Sequence, residues 1–183
     1  KLYRGNRTFK NSSENFEAFQ SPNYPILAEM GVEMKINKSA LLLKPTQSLI
    51  THQTLNNKIA VVPLYPGFNE NIIYKMVEAG SLGLVLRTFG AGNGPGNPAF
   101  IKALKQVVDA GVPVVNVSQC RFGRVDQNKY AAGRHLQDIG VISGNDSTLE
   151  AAITKMMFLL GQRLNHFDIA KQFAKSLRGE ISV

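Results

Sequence analysis

From Lys58 onward the chain alternates short apolar runs with stretches whose apolar residues return every three or four positions. Ile59–Leu64 is an apolar run closed by Tyr65-Pro66-Gly67, which predicts a buried strand and a turn. Asn69 can cap a helix in which Ile72, Ile73, Met76 and Val77 share one face, with Gly80 at the stop. Leu82–Arg87 predicts a second strand, ending in a basic side chain. A loop with glycines at 90, 92, 94 and 96 follows. Asn97 then stands at N-cap and Pro98 at N1 of a helix. Its inward stripe is Phe100, Ile101, Leu104, Val107 and Val108, and Gly111 ends it. Val112–Val117 predicts a third strand, about Tyr130 to Asp138 a short helix, and Val141–Ser143 a fourth, very short strand. Ser147-Thr148-Leu149-Glu150 reads as a capping box. It opens a helix with apolar positions 149, 152, 153, 156, 157 and 160, and a last amphipathic helix spans about Asp168 to Leu177. Strands and helices alternating at spacings too long for hairpins predict an α/β fold. It is a three-layer sandwich, with a small parallel sheet of about four strands flanked by helices.

The first third of the chain lacks this regularity. Residues 1–24 are polar, rich in Asn, Ser and Arg, and show no period of 2 or 3.6. They are expected to form an irregular arm that packs against something else. Residues 25–57 alternate loosely, with Val32, Met34 and Ile36 facing one way, and turn polar from Gln47 to Asn57. They predict a linker with short strands. The organisation is therefore 1–24, 25–57 and 58–183. The chain opens at Lys1 with neither a methionine nor a charged-then-apolar leader, so it is expected to be a fragment.

Composition narrows the function classes. At 44% hydrophobic and 19% charged residues the chain reads as globular, and no apolar run has the length of a membrane span. A net charge of +8 suits an acidic partner, but the Lys and Arg residues are scattered without aromatic interleaving, which argues against nucleic acid. One cysteine, Cys120, excludes an internal disulfide or a Cys-based zinc site and favours a reducing compartment. Five N-x-S/T sequons, at Asn6, Asn11, Asn37, Asn116 and Asn145, would matter only in a secretory setting.

Candidate chemistry gathers at the strand ends. The glycine loop fails the dinucleotide fingerprint: the third glycine would fall at Pro95 counting from Gly90, and at Asn97 counting from Gly92. It lacks a P-loop ending as well. The loop is either a flexible turn or a source of backbone N–H groups for a carboxylate or carboxamide. Arg87, at the lip of an apolar strand, suits bidentate carboxylate recognition, or is an ordinary surface arginine. Cys120 ends the next strand, so the two are expected to be neighbours. His52, His135 and His166 form no recognisable Cys–His arrangement, so Cys120 reads as a buried or binding-site thiol rather than a nucleophile. No H-x-x-x-H, H-E-x-x-H or G-x-S-x-G motif occurs, so no metal site and no cofactor are expected.

Arg4–Lys10 (R-G-N-R-T-F-K) and Ala18–Asn23 (A-F-Q-S-P-N) open an ordered series of motifs. Leu64–Gly67, Arg87–Pro95, Asn116–Cys120, Tyr130–Gly133, Gly140–Ala152 and Leu177–Glu180 continue it. Together they resemble the type I (cytoplasmic) L-asparaginases over nearly the whole chain, with residues 1–24 as the tail of the amino-terminal catalytic domain. The related tRNA-dependent amidotransferase subunit is the alternative, and fits the first and last motifs less well. The resemblance implies hydrolysis of L-asparagine to L-aspartate and ammonia, a homo-oligomer (dimer or tetramer), and a missing amino-terminal domain. The family's catalytic T-G-G-T and T-D-T motifs are not in this sequence, and neither Thr8 nor Thr88 sits in such a motif. No catalytic residue is therefore assigned here, and the chain alone is expected to be inactive. The resemblance implies that Asn93 binds substrate in a neighbouring subunit's active site, and that Arg87 and Cys120 belong to an allosteric asparagine site. Phe9 stands where the family's R-T-T-K pattern has its second threonine. A phenyl ring removes a donor, fills volume and counts against regulation through that site. From the residues alone, a stand-alone amino-acid-binding module built on Arg87, Cys120 and the glycine loop remains the reading from a different class.

Overall fold

The computed structural model describes residues 1–129 and 131–182. The strands are β1 (Phe9–Lys10), β2 (Phe19–Gln20), β3 (Ala28–Met30), β4 (Met34–Ile36), β5 (Ile59–Pro63), β6 (Gly83–Thr88), β7 (Val114–Ser118) and β8 (Ile142–Ser143). The helices are α1 (Asn71–Glu78), α2 (Pro98–Asp109), α3 (Ala131–Asp138), α4 (Leu149–Gly161) and α5 (His166–Phe173). Strands β5-β6-β7-β8 form one parallel sheet in that spatial order. Because each strand is laid down beside the last, right-handed crossovers carry every connecting helix to the same face. Leu84 and Leu86 of β6 meet Ile73 of α1, Phe100 and Leu104 of α2 and Leu136 of α3 on that face. Val85, Val115, Val117 and Ile142 point to the other face, where Met156 and Leu159 of α4 and Ile169 and Phe173 of α5 cover them. The expected three-layer sandwich is the fold.

Element edges differ where side chains compete for the same backbone groups. Asn97 caps α2, accepting from Ala99 N at 2.7 Å and Phe100 N at 3.3 Å. Asn69 instead makes a tight turn to Asn71 N (3.0 Å) and α1 starts two residues later, with no side-chain cap. The Ser147–Glu150 box does not form. Ser147 donates its hydroxyl to Gly144 O (2.7 Å) within the preceding turn, and Thr148 caps α4 through Ala151 N (3.1 Å). Asn165 caps α5, which begins at His166 and ends at Phe173, short of Leu177. The expected start of the third helix at Tyr130 lies outside the described residues.

The arm packs against its own chain. Its hairpin β1–β2 pairs Phe9 with Gln20 and Lys10 with Phe19. Arg4 donates to Gly179 O (3.2 Å) and Ala40 O (2.7 Å), and Asn6 donates to Arg178 O (2.9 Å). β3 and β4 form a second antiparallel hairpin, Ala28 opposite Ile36. Its Val32, Met34 and Ile36 are exposed rather than facing a core. Asn116 is fully buried, which removes that sequon as an acceptor in the folded chain.

Candidate functional site

The carboxyl ends of β6 and β7, the arm and the start of α4 enclose a cavity of about 230 Å³. Arg87 reaches it from β6, Cys120 and Arg121 from the segment after β7, Phe9 and Arg7 from the arm, and Asp146 and Glu150 from the approach to α4. Sheet register brings the first two together, since Arg87 lies beside Val117. Beyond β7, Gln119 Nε2 donates to Arg87 O (2.8 Å) and Leu64 O (2.6 Å), folding the chain back across the strand ends. Cys120 N then donates to Ser118 Oγ (2.9 Å). Cys120 is exposed at the cavity wall, which corrects the buried alternative. None of the three histidines lines the cavity, so Cys120 has no imidazole base there. Phe9 forms the opposite wall with the Arg121 guanidinium 4.8 Å above its ring. Asn23 ties the two sides, accepting from Gly123 N at 2.9 Å.

The cavity's charges are unevenly satisfied. Arg7, only 2% exposed, grips Asp146 bidentately at 3.0 and 2.6 Å. Ser182 adds its N–H (2.8 Å) and its hydroxyl (2.6 Å) to the same carboxylate. Burial alone would raise the Asp146 pKa, but the bonds from Arg7 and Ser182 and the Arg7 charge outweigh it and hold the carboxyl below its ordinary value. In contrast, Nε of Arg7 and Nε of Arg87 are both buried without a partner among the described residues. Both arginines line the cavity, and a buried guanidinium N–H without a partner carries a desolvation cost.

The glycine loop forms a separate feature. Phe89 N donates to Asn93 O (2.9 Å), and Asn93 N donates back to Phe89 O (2.8 Å). Gly90 and Gly92 supply the positive φ values, 51° and 104°, that so tight a closure needs. Buried Asn116 donates to Gly92 O (2.9 Å), Ser118 to Gly90 O (2.6 Å) and Asp126 N to Ala91 O (2.8 Å). Residues 89–93 are thus a tied turn rather than the flexible turn that glycine content predicts, and its Gly92 and Asn93 N–H groups are consumed internally. Half-buried Asn93 does not line the Arg87 cavity, and its Oδ1 is buried with no hydrogen-bond partner. Thr88 is fully buried and bonded to Asn116, and Thr8 Oγ1 is bound to Gly5 O (2.8 Å), so neither is an available nucleophile.

Sequence reasoning missed the buried ion pairs. Besides Arg7–Asp146, Lys155 of α4 bonds Glu180 Oε1 (2.6 Å), Lys175 O (2.6 Å) and Phe173 O (3.1 Å). Burial pulls the Lys155 pKa below its ordinary value against the opposing pull of Glu180. Glu180 is also lowered: burial opposes, but Lys155 and the N–H groups of Leu177 and Arg178 prevail. One signal was present: Lys155 lies four residues from both Ala151 and Leu159, on the buried side of α4. Among the described residues no group of His, Cys, Asp and Glu side chains is arranged to hold a metal ion, and no helix is long and apolar enough to cross a membrane.

Comparison with known proteins agrees with this architecture. Residues 58–173 match the family described as Glutaminase/Asparaginase C-terminal domain. The chain is 39% identical over 182 residues to L-asparaginase 1 of Escherichia coli (strain K12), covering 100% of this chain and 54% of that protein. It is 36% identical over 184 residues to the 60 kDa lysophospholipase of Mus musculus, covering 100% of this chain and 32% of that protein. The crystal structure of L-asparaginase I from Vibrio cholerae superimposes with a TM-score of 0.91 at 36% identity, over 98% of this chain and 55% of that one. The chain spans about half the length of the bacterial relatives it matches. With the family model matching more than half of its length, the chain belongs to the glutaminase/asparaginase family, and residues 58–173 are that family's C-terminal domain.

Proposed function

We propose that this chain is the carboxy-terminal part of a cytoplasmic, homo-oligomeric L-asparaginase that hydrolyses L-asparagine to L-aspartate and ammonia. In this reading the chain supplies no catalytic group and does not turn over asparagine by itself. It contributes Asn93 to the active site of a neighbouring subunit, where a carboxamide can donate to and accept from the substrate. The observation that carries the reading is the Asn93 Oδ1 itself, buried on a tied turn with no partner. A group held in place yet unsatisfied is what a site completed by another surface requires.

A second role rests on the cavity. Arg87 and Arg7 line it from two sides, and Cys120 and Glu150 line the same space. An amino acid fits this lining, with its carboxylate on Arg87 and its ammonium toward Glu150, so the cavity is proposed as an effector site. Two measurements separate the readings. An assay for asparagine-dependent ammonia release by the pure chain is expected to show no turnover, and sustained turnover of asparagine would refute the assignment of catalysis to other residues. Calorimetry with L-asparagine is expected to show saturable binding that Arg87→Ala abolishes. Absence of binding removes the effector role and leaves the Asn93 role standing.

A further inference from the structure

Asn93-Gly94 is the only Asn-Gly dipeptide in the sequence, and it falls where the tied turn ends. Upstream, Asn93 is pinned through its own N–H and C=O to Phe89. Downstream the restraint stops: among the described residues the Gly94 N–H finds no backbone acceptor, and the chain stays irregular until α2 begins at Pro98. The Asn93 carboxamide oxygen has no partner to hold it either. The main-chain nitrogen needed for an intramolecular reaction is therefore unengaged, no hydrogen bond fixes the carboxamide oxygen, and no Cβ at position 94 shields that nitrogen. None of the other asparagines precedes a glycine, and two of them are also tied through their side chains. Asn145 donates its amide to Ser182 O (3.0 Å), and Asn116 is fully buried with its amide on Gly92 O (2.9 Å).

We propose that Asn93 is a self-modification site, deamidated through a succinimide formed with Gly94. The Gly94 nitrogen attacks Cγ of Asn93 and closes a five-membered ring. The Cγ–Nδ2 bond breaks, and the nitrogen leaves as ammonia with the proton given up by the Gly94 N–H. Water then opens the ring. Cleavage between Cγ and the ring nitrogen yields aspartate on an unaltered main chain. Cleavage at the main-chain carbonyl yields isoaspartate, with the chain rerouted through the side chain. The sum is carboxamide plus water giving carboxylate plus ammonia, with no change of oxidation state.

Packing locks the labile pair in place. A Cβ at position 94 would lie 2.9 Å from Cε1 of Phe100, so a side chain there requires the α2 core to move. The chain cannot shed this glycine cheaply. Resting on the substrate-binding reading of Asn93, the new carboxylate turns a neutral donor–acceptor into an anion beside the substrate. Asparaginase activity of the assembled enzyme then falls in step with conversion.

The test is incubation of the native chain in mildly alkaline buffer, followed by peptide mapping by mass spectrometry and isoaspartate detection. Residue 93 is expected to convert first among the asparagines, with isoaspartate exceeding aspartate. One equivalent of ammonia is expected per chain, faster as hydroxide rises, and Asn93→Gln should abolish it. The proposal is overturned if residue 93 keeps its carboxamide while another asparagine converts, or if it converts only as fast as the whole chain unfolds in urea. Conversion without loss of activity in the oligomeric enzyme upholds the modification and removes Asn93 from the substrate site.

Discussion

Replacing Arg7 by methionine probes the contact that joins the two ends of this chain. The guanidinium donates five hydrogen bonds: two to Asp146, and one each to Glu180 O, Asn23 O and Ser182 Oγ. Methionine keeps an apolar stem of similar length but leaves the buried Asp146 carboxylate with only its two donors from Ser182. Removing one partner of a buried pair costs about 3–5 kcal/mol. At roughly 2–4 °C per kcal/mol for a chain of this size, Tm is expected to fall by about 6–20 °C. The chain has no tryptophan, so far-UV circular dichroism in heat and urea is the readout. Arg7→Met combined with Asp146→Leu removes both charges, and its loss is expected to fall short of the summed single losses by about 1–3 kcal/mol. The pair also sets the acid limb. Asp146 has a folded pKa below its unfolded one, so its stabilisation is complete above the unfolded value and is lost as pH falls through the folded value. Without Arg7 that loss begins at a higher pH. A change within about 0.5 kcal/mol for Arg7→Met, the range of an ordinary surface substitution, would refute the reasoning, as would strict additivity of the two single losses.

Three further outcomes are expected. Asn97→Ala removes the acceptor for Ala99 N and Phe100 N at the start of α2 and should cost about 1 kcal/mol in urea unfolding. Asn116→Ala should cost about 1–3 kcal/mol, because it orphans Gly92 O and leaves Thr88 Oγ1 only its long 3.4 Å bond to Val117 O, and should speed amide exchange at Gly92 and Asn93. Burial holds the His166 pKa below its ordinary value, and its Nδ1 has no partner. The unfolded chain therefore takes up a proton near pH ~6.5 that the folded chain resists, and stability falls as pH drops below that point. His166→Gln should flatten that stretch of the stability–pH curve.

The sheet is legible in the sequence because parallel strands are buried on both faces and read as unbroken apolar runs. Leu84–Leu86 is such a run, Val114–Val117 is interrupted only by Asn116, and the exposure of both is at most 1%. Helix starts are less legible. Ser147 and Thr148 are both able to cap α4, and the turn closed on Gly144 takes the first of them. The proximity of Arg87 and Cys120 follows from adjacent strand ends, so it is readable. The contributions of Arg7 and Asp146 to the same cavity are not, since residues 139 positions apart leave no periodic trace. Glycines at 90 and 92 suggest slackness, yet the ties come from Asn116 and Ser118 on the next strand, which local composition does not register.

The sequential order of the sheet also dictates when this domain can finish folding. During synthesis, β5, α1, β6, α2, β7 and α3 emerge as a two-layer body with Val85, Val115 and Val117 bare on one side. No crossover can reach that side, so it stays open until residues 149–173 leave the ribosome. Residues 177–182 then fasten the arm, which is made before the sheet. A nascent chain paused before Leu149 offers its neighbours an apolar sheet surface, so yield in the cell depends on the speed of translation through α4 and α5.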